Sequence, residues 1–217
     1  MTKRKKALYL NGAIILFELV ALVFSIWHHG VSLFLYYTQI CNLFALVGSA
    51  LYLIYERKET IPKWLRLVRY TNVVTLAITF LVVVVFLAPL ICMREVFANG
   101  QPFATGVWIA AKDMYLGGSV FFHHIVCPIL TFISFVYFES GEDITKKESL
   151  YALIPTVAYA GVLILLNILR VVEGPYPFLM VYEQGAILSC AWAIVIFSMA
   201  YLLGALVWRI VQKQKRG

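Results

Sequence analysis

Residues 114–138 read MYLGGSVFFHHIVCPILTFISFVYF. This stretch is long enough to cross a bilayer and contains no Asp, Glu, Lys or Arg. Its first half nevertheless holds two adjacent histidines, His123 and His124, and Cys127 and Pro128 follow one turn later. A pair of titratable side chains in a segment otherwise suited to lipid indicates a functional site. The rest of the chain is then the scaffold for this pair and the source of its partners.

The composition predicts an integral membrane protein that forms a single domain over residues 1–217. Of its residues, 62% are hydrophobic and only 13% are charged, whereas a soluble domain has roughly 25% charged residues. The net charge of +7 does not indicate a nucleic-acid partner, because the basic residues lie in the tails and short loops. The four cysteines all fall within or at the end of apolar segments and are interpreted as packing thiols.

Six apolar stretches are long enough to span a membrane, which predicts an all-α, polytopic bundle. The first begins after the basic residues TKRKK and is followed by no small-residue cleavage site, so it is interpreted as a retained helix. The expected spans are about 7–27, 31–55, 71–93, 114–138, 150–171 and 186–208.

The basic residues predict the orientation of this bundle. An even number of spans places both termini on one side, and fifteen of the 18 lysines and arginines lie in the tails and in the loops on that side. The opposite side receives Arg94, Lys112 and Arg170. Such a bias predicts a multi-pass protein of the cell membrane with both termini in the cytoplasm. The basic loop at residues 56–70 is expected to lie on the surface of the inner leaflet.

This topology predicts how deep the polar residues lie. If the second span runs inward from about residue 31, Thr38 lies about 10 Å below the outer boundary at a rise of 1.5 Å per residue. His123, nine residues into the fourth span, lies roughly 13 Å deep by the same rise. The two residues are therefore expected at similar depth, in the outer half of the bilayer.

Further polar residues are expected near this level. Asn42 follows Thr38 by one turn on the same helix face, and Glu18 lies near the middle of the first span. The fifth span runs outward and reaches Asn167 and Arg170. An ionised carboxylate in mid-membrane is costly, so Glu18 is expected to be protonated or paired with a histidine or with Arg170. Several helices can thus direct polar groups toward one cavity in the outer leaflet.

Each of these residues also has a structural interpretation. A threonine in a membrane helix commonly returns its hydroxyl to a backbone carbonyl. Adjacent histidines point about 100° apart on a helix, so at most one of them faces Thr38 squarely. His123 and Cys127 have the i, i+4 spacing of metal ligands, but the segment offers no second carboxylate, and no metal is expected.

The order and spacing of four motifs resemble the androgen-induced family of multi-pass membrane hydrolases. The motifs are YYTQICNLFALVGS at 36–49, HHIVCP at 123–128, YPFL at 176–179 and YLLG at 201–204. Members of that family cleave fatty-acid esters of hydroxy fatty acids. The resemblance implies that Thr38 is a nucleophile and that a histidine is its base. Counting back from Pro128 without a gap selects His123, and a gain or loss of one residue selects His124.

The resemblance further implies a lipid substrate that enters from the bilayer, and no cofactor. A threonine hydroxyl needs an adjacent base, and the oxyanion formed by the ester needs hydrogen-bond donors. The sequence does not choose among the candidates for oxyanion or substrate binding, which are Gln39, Asn42, Asn167, Glu18, Arg170 and Tyr176. Two other hypotheses remain, a non-catalytic lipid-binding protein and a small-molecule transporter. The absence of internal repeats argues weakly against a transporter.

Overall fold

The computed structural model describes residues 1–57, 61–139 and 144–216, and of residues 177, 215 and 216 the backbone only. All of the regular structure in these ranges is helical. The helices are α1 (Lys3–His29), α2 (Tyr37–Glu56), α3 (Lys63–Ala98), α4 (Phe103–Ala111), α5 (Gly118–Glu139), α6 (Glu148–Ile168) and α7 (Val181–Arg216). The last is interrupted at Gly185, whose φ of 77° is not helical.

All of these helices except α4 are long and apolar enough to cross a membrane, which gives six candidate spans in the described residues. The all-α, polytopic bundle expected from the sequence is therefore confirmed. Large apolar side chains such as Trp27 and Ile187 are 85% and 90% exposed on its outside, where lipid would cover them. Polar side chains such as Asn11, Asn42 and Asn72 are buried between the helices instead.

The second span begins later than the sequence indicates. Helix α1 ends at Gly30, whose φ of 59° is a backbone conformation that glycine adopts without strain. Residues Gly30–Leu35 then form a 3-10 helix, and α2 starts at Tyr37. The expected start at residue 31 was wrong, because the apolar run continues through this 3-10 segment without a change in composition. Thr38 consequently lies in the first turn of α2 and not in its second.

The basic loop at 56–70 also differs from its expected placement, because α3 already begins at Lys63. Arg69 is buried at 1% exposure, where its guanidinium donates hydrogen bonds of 2.9 Å to both carboxylate oxygens of Glu139 and one of 2.9 Å to the Ser49 hydroxyl. Asn11 and Ser134 also donate to this carboxylate. This network joins α1, α2, α3 and α5 at the end of the bundle that carries both termini.

Two of the three prolines in the expected spans follow a π-helical turn. Val83–Leu87 precedes Pro89 in α3, and Phe122–Val126 precedes Pro128 in α5. Proline has no N–H to donate to the preceding turn, so the helix widens or kinks there. In α5 the Cys127 N–H bonds to the Phe122 carbonyl, five residues back. The wide turn contains both histidines of the opening motif.

Candidate active site

A cavity of about 520 Å³ lies at the end of the bundle away from both termini. Its wall is built from the end of α1, the start of α2, the end of α3, the start of α5 and the loop between α6 and α7. Five of the residues singled out in the sequence lie on this wall, namely Thr38, Gln39, His123, His124 and Tyr176. The fold thus brings together side chains from three separate parts of the chain.

The position of Thr38 in the first turn of α2 gives it polar backbone neighbours. The first backbone hydrogen bonds of α2 run from the N–H groups of Gln39 and Ile40 to the Tyr36 carbonyl. The N–H groups of Tyr37 and Thr38 precede them and have no partner within the helix. A helix start of this kind carries partial positive charge and favours a negative group.

The hydroxyl of Tyr176 lies near this helix start. Tyr176 belongs to the loop between α6 and α7, and its ring stacks on Phe178 at 5.0 Å between centroids. Burial raises the pKa of Tyr176 to about 12, so the phenol stays protonated. The Thr38 side chain and the backbone of Thr38 and Tyr37 lower this pKa. Groups that donate a hydrogen bond to the phenol oxygen have this effect. An electronegative oxygen therefore already lies beside the Thr38 hydroxyl.

His123 is 2% exposed and is held at both ring nitrogens. The Gln39 side-chain amide donates to its Nδ1 at 3.1 Å, and its Nε2 lies 3.5 Å from Oε2 of Glu18. Its backbone carbonyl accepts a hydrogen bond of 3.4 Å from the Asn42 amide, which also donates to the Thr38 carbonyl at 2.8 Å. His123 therefore connects α5 to α1 and α2.

His124 is held at one ring nitrogen only. Its Nδ1 lies 2.9 Å from the Met114 carbonyl. A carbonyl can only accept, so Nδ1 carries the proton and Nε2 has a free lone pair. No described residue pairs with this Nε2. Because His124 lines the cavity, it offers a neutral proton acceptor to whatever occupies that space.

Four of the expected site residues do not line this cavity. Glu18 and Asn42 contact His123, whereas Asn167 and Arg170 line a separate pocket. Helix α6 ends at Ile168, so Asn167 lies in its last turn and Arg170 in the loop that follows. The Asn167 amide donates to the carbonyls of Val172 and Glu173 at 3.2 and 2.6 Å, and its oxygen accepts from the Val181 N–H at 2.9 Å. The Arg170 guanidinium lies 4.7 Å from the centre of the Tyr182 ring. Both residues shape the loop, and the structure does not bring them to the cavity.

Some cavity residues were not identified from the sequence. Ser25 of α1 and Ser119 of α5 meet on the wall, where their hydroxyl oxygens are 2.9 Å apart. Arg94 and Asp113 contribute opposite charges to the lining. Ser25 follows Glu18 by seven residues, and this helical spacing could have placed it on the same inward face. The two charged residues follow no such period.

The described residues contain no group of three or more His, Cys, Asp or Glu side chains that could hold a metal ion. His123 and Cys127, which have ligand spacing in the sequence, are not part of such a group. The Glu18 carboxylate lies beside His123 and interacts with the Cys127 thiol. The side chains on this wall offer hydroxyls, three imidazoles, one positive and one negative charge, and amide or phenol donors.

No protein-family model matches the chain, and neither a curated protein nor a solved structure matches it.

Proposed function

We propose that the protein is an intramembrane hydrolase of fatty-acyl esters, in which Thr38 is the nucleophile and a histidine of the 123–124 pair is its base. One observation carries this proposal. The Thr38 hydroxyl lies at a helix start and shares a cavity with the unpaired Nε2 of His124. The resemblance to the androgen-induced family supports fatty-acid esters of hydroxy fatty acids as the substrate class.

The reaction would begin with proton transfer from the Thr38 hydroxyl to the histidine while the threonine oxygen bonds to the ester carbonyl carbon. The same histidine would then give the proton to the departing alcohol. This leaves an acyl-threonine and a neutral imidazole. A water molecule would next attack the acyl group, the histidine would accept the water proton and return it to Thr38, and the fatty acid would leave.

The oxyanion that forms on the ester carbonyl needs donors. The N–H groups of Tyr37 and Thr38 face this region, as does the protonated hydroxyl of Tyr176. Tyr176 lines the cavity and would donate its hydroxyl hydrogen to the substrate oxygen. Of the other candidates, Gln39 and Asn42 are engaged in holding His123 and the backbone of Thr38.

The hydrogen bonds favour His124 as the base, because both ring nitrogens of His123 already have partners. Ungapped counting in the resemblance selects His123 instead. In our proposal His124 accepts the proton, and His123 positions the wide turn of α5 through Glu18 and Gln39. The basic bias between the two sides of the bundle supports cytoplasmic termini, which would place the cavity in the outer half of the cell membrane.

The experiment that tests this function combines hydrolysis with covalent labelling. Purified protein in nanodiscs should hydrolyse p-nitrophenyl esters of fatty acids, and a fluorophosphonate probe should label Thr38, as located by mass spectrometry. Thr38→Val keeps the shape but removes the hydroxyl, so it should lose several orders of magnitude in turnover. Thr38→Ser keeps the hydroxyl and should retain part of it.

A folded Thr38→Val variant that hydrolyses esters at the wild-type rate would disprove the mechanism. A lipid-binding protein or a transporter would show neither hydrolysis nor labelling in the wild-type chain, so the same experiment distinguishes the three hypotheses.

A further inference from the structure

A second, narrower cavity adjoins the first. Its volume is about 50 Å³, and it shares Thr38, Leu87 and Tyr176 with the main cavity. Elsewhere its wall comes from α3, α6 and α7, where the side chains include Ile78, Val82, Ala160 and Ile196. We call this space the side slot. Thr38 and Tyr176 stand at the junction of the two cavities.

The polar side chains of the side slot have already used their hydrogen bonds. The hydroxyls of Tyr37 and Thr156 bond to each other at 2.7 Å. Tyr159 donates to the Leu35 carbonyl at 2.7 Å, and Thr79 donates to the Thr75 carbonyl at 3.1 Å. Beyond the junction, the side slot therefore offers hydrocarbon and satisfied hydroxyls to an occupant. A space of this kind stays dry and favours an apolar ligand.

The main cavity has the opposite character. Arg94 and Asp113 bring charges to its wall, and His124 brings an imidazole with a free nitrogen. None of these three residues lines the side slot. Thr38 therefore lies on the boundary between a dry, apolar space and a larger, polar one.

An ester bound at Thr38 has two arms, and the position of the base decides where each arm lies. The alcohol oxygen must receive the proton held by a histidine, and both histidines line the main cavity alone. The alcohol arm therefore extends into the main cavity. The acyl arm leaves the carbonyl carbon in the other direction, toward the side slot.

We propose that the side slot binds the part of the acyl chain next to the ester carbonyl and so selects fatty-acyl esters over acetyl esters. This inference rests on the proposed function for the direction of the ester, but the slot itself is defined by its own apolar lining. Each methylene buried there contributes about 0.8 kcal/mol to binding. The main cavity then accommodates alcohols of more varied size and polarity.

A bulky residue in the side slot tests the proposal. Ala160→Leu adds carbon atoms to the slot wall, and Ala158→Leu makes the same change on the exposed face of the same helix. We expect Ala160→Leu to lower kcat/KM for p-nitrophenyl palmitate and octanoate by roughly tenfold or more, since the loss of even one methylene's contacts in a pocket has an effect of that size. Hydrolysis of the acetate should stay near the wild-type rate, and Ala158→Leu should change none of these ratios. Equal losses for all chain lengths, or none, would overturn the proposal.

A binding experiment tests the side slot without relying on ester hydrolysis. Octanoic acid with a diazirine at its third carbon can be photolysed with the wild-type protein and the crosslinked residues located by mass spectrometry. We expect crosslinks on slot residues of α3, α6 and α7, and their loss in Ala160→Leu but not in Ala158→Leu. Crosslinks to slot residues in a protein that hydrolyses no ester would retain the slot and refute the proposed function. Crosslinks confined to the lipid-facing surface would refute the slot, whatever the hydrolytic activity.

Discussion

His123 and His124 are neighbours in the sequence, but their ring nitrogens have different partners. His123 is fixed between Gln39 and Glu18, while His124 is fixed only by the Met114 carbonyl. A general base needs a lone pair that faces the reacting proton. At the scale of single residues, hydrogen bonding therefore distinguishes two side chains that composition and spacing treat alike.

This difference predicts unequal effects of the two histidine substitutions. His124→Ala should lower kcat for fatty-acyl esters by about 10²–10⁴-fold and leave the melting temperature nearly unchanged, because it removes a proton acceptor. His123→Ala should lower the melting temperature as well, since it leaves the buried Glu18 carboxyl without its neighbour. Steady-state kinetics and thermal unfolding of both variants provide the measurement. If His123→Ala abolishes turnover while His124→Ala remains active, His123 is the base.

Helices α2 and α5 position the site through their irregular turns. In α5 the π turn places both histidines on the inward side, and Pro128 removes the N–H that would close the regular ladder. In the π turn an N–H bonds to the carbonyl five residues back, so an N–H at position 128 would bond to the His123 carbonyl. Pro128 has no N–H, and the Asn42 amide donates to the His123 carbonyl instead. In α2 the late start brings Thr38 to a helix terminus. π turns recur at functional sites because they aim side chains that a regular helix would direct elsewhere.

Restoring a regular turn in α5 should therefore reduce activity without reducing stability. Pro128→Ala supplies an N–H to the preceding turn, so the protein should be at least as stable as the wild type. Ester hydrolysis should fall by roughly tenfold or more, because a shift of about 1 Å in a catalytic group can cost a hundredfold. Pro155→Ala is the matched control. Helix α6 begins with a 3-10 segment at Glu148–Leu153, and Pro155 lies in the first turn of the regular α-helix that follows, where proline is tolerated. Unchanged turnover in Pro128→Ala would show that the π turn does not position the base.

For the molecule as a whole, the two ends of the bundle differ in structure. The end with the termini is held by the buried pair of Arg69 and Glu139, in which each partner's side chain is no more than 2% exposed. The other end contains the cavity, the 3-10 segment before α2 and the π turn with the two histidines. If the cavity admits lipid as we propose, this division agrees with the view that functional regions come from the less stable parts of a fold.

Breaking the buried ion pair should destabilise the protein strongly. Arg69→Met leaves the Glu139 carboxylate unpaired inside the bundle, and we expect a loss of about 3–5 kcal/mol in the free energy of unfolding. The double variant Arg69→Met/Glu139→Met should recover much of this loss. Arg4→Met is the control, because Arg4 is 52% exposed in its pair with Glu56 and surface pairs contribute about 0–1 kcal/mol. Denaturation in detergent micelles measures all three, and equal stability of Arg69→Met and the wild type would contradict the prediction.

The orientation of the bundle can be tested from outside the cell. His29 lies at the cavity, so His29→Cys in a cysteine-free background should react with an impermeant maleimide on intact cells if the termini are cytoplasmic. A cysteine at Lys5, on the terminal side, should react only after permeabilisation. The reverse pattern would place the cavity on the cytoplasmic side and refute the outer-leaflet site.

Composition and the lengths of the apolar runs were sufficient to determine the class of protein and the number of spans. These features depend on hydrophobicity and helical rise, which are properties of short segments. The late start of α2, the burial of Arg69 and the removal of Asn167 and Arg170 from the cavity were decided by tertiary structure. So were the contrasting partners of His123 and His124. Each of these depends on which carbonyl, amide or carboxylate from a distant helix satisfies a buried polar group, and such pairings exist only once the helices have packed.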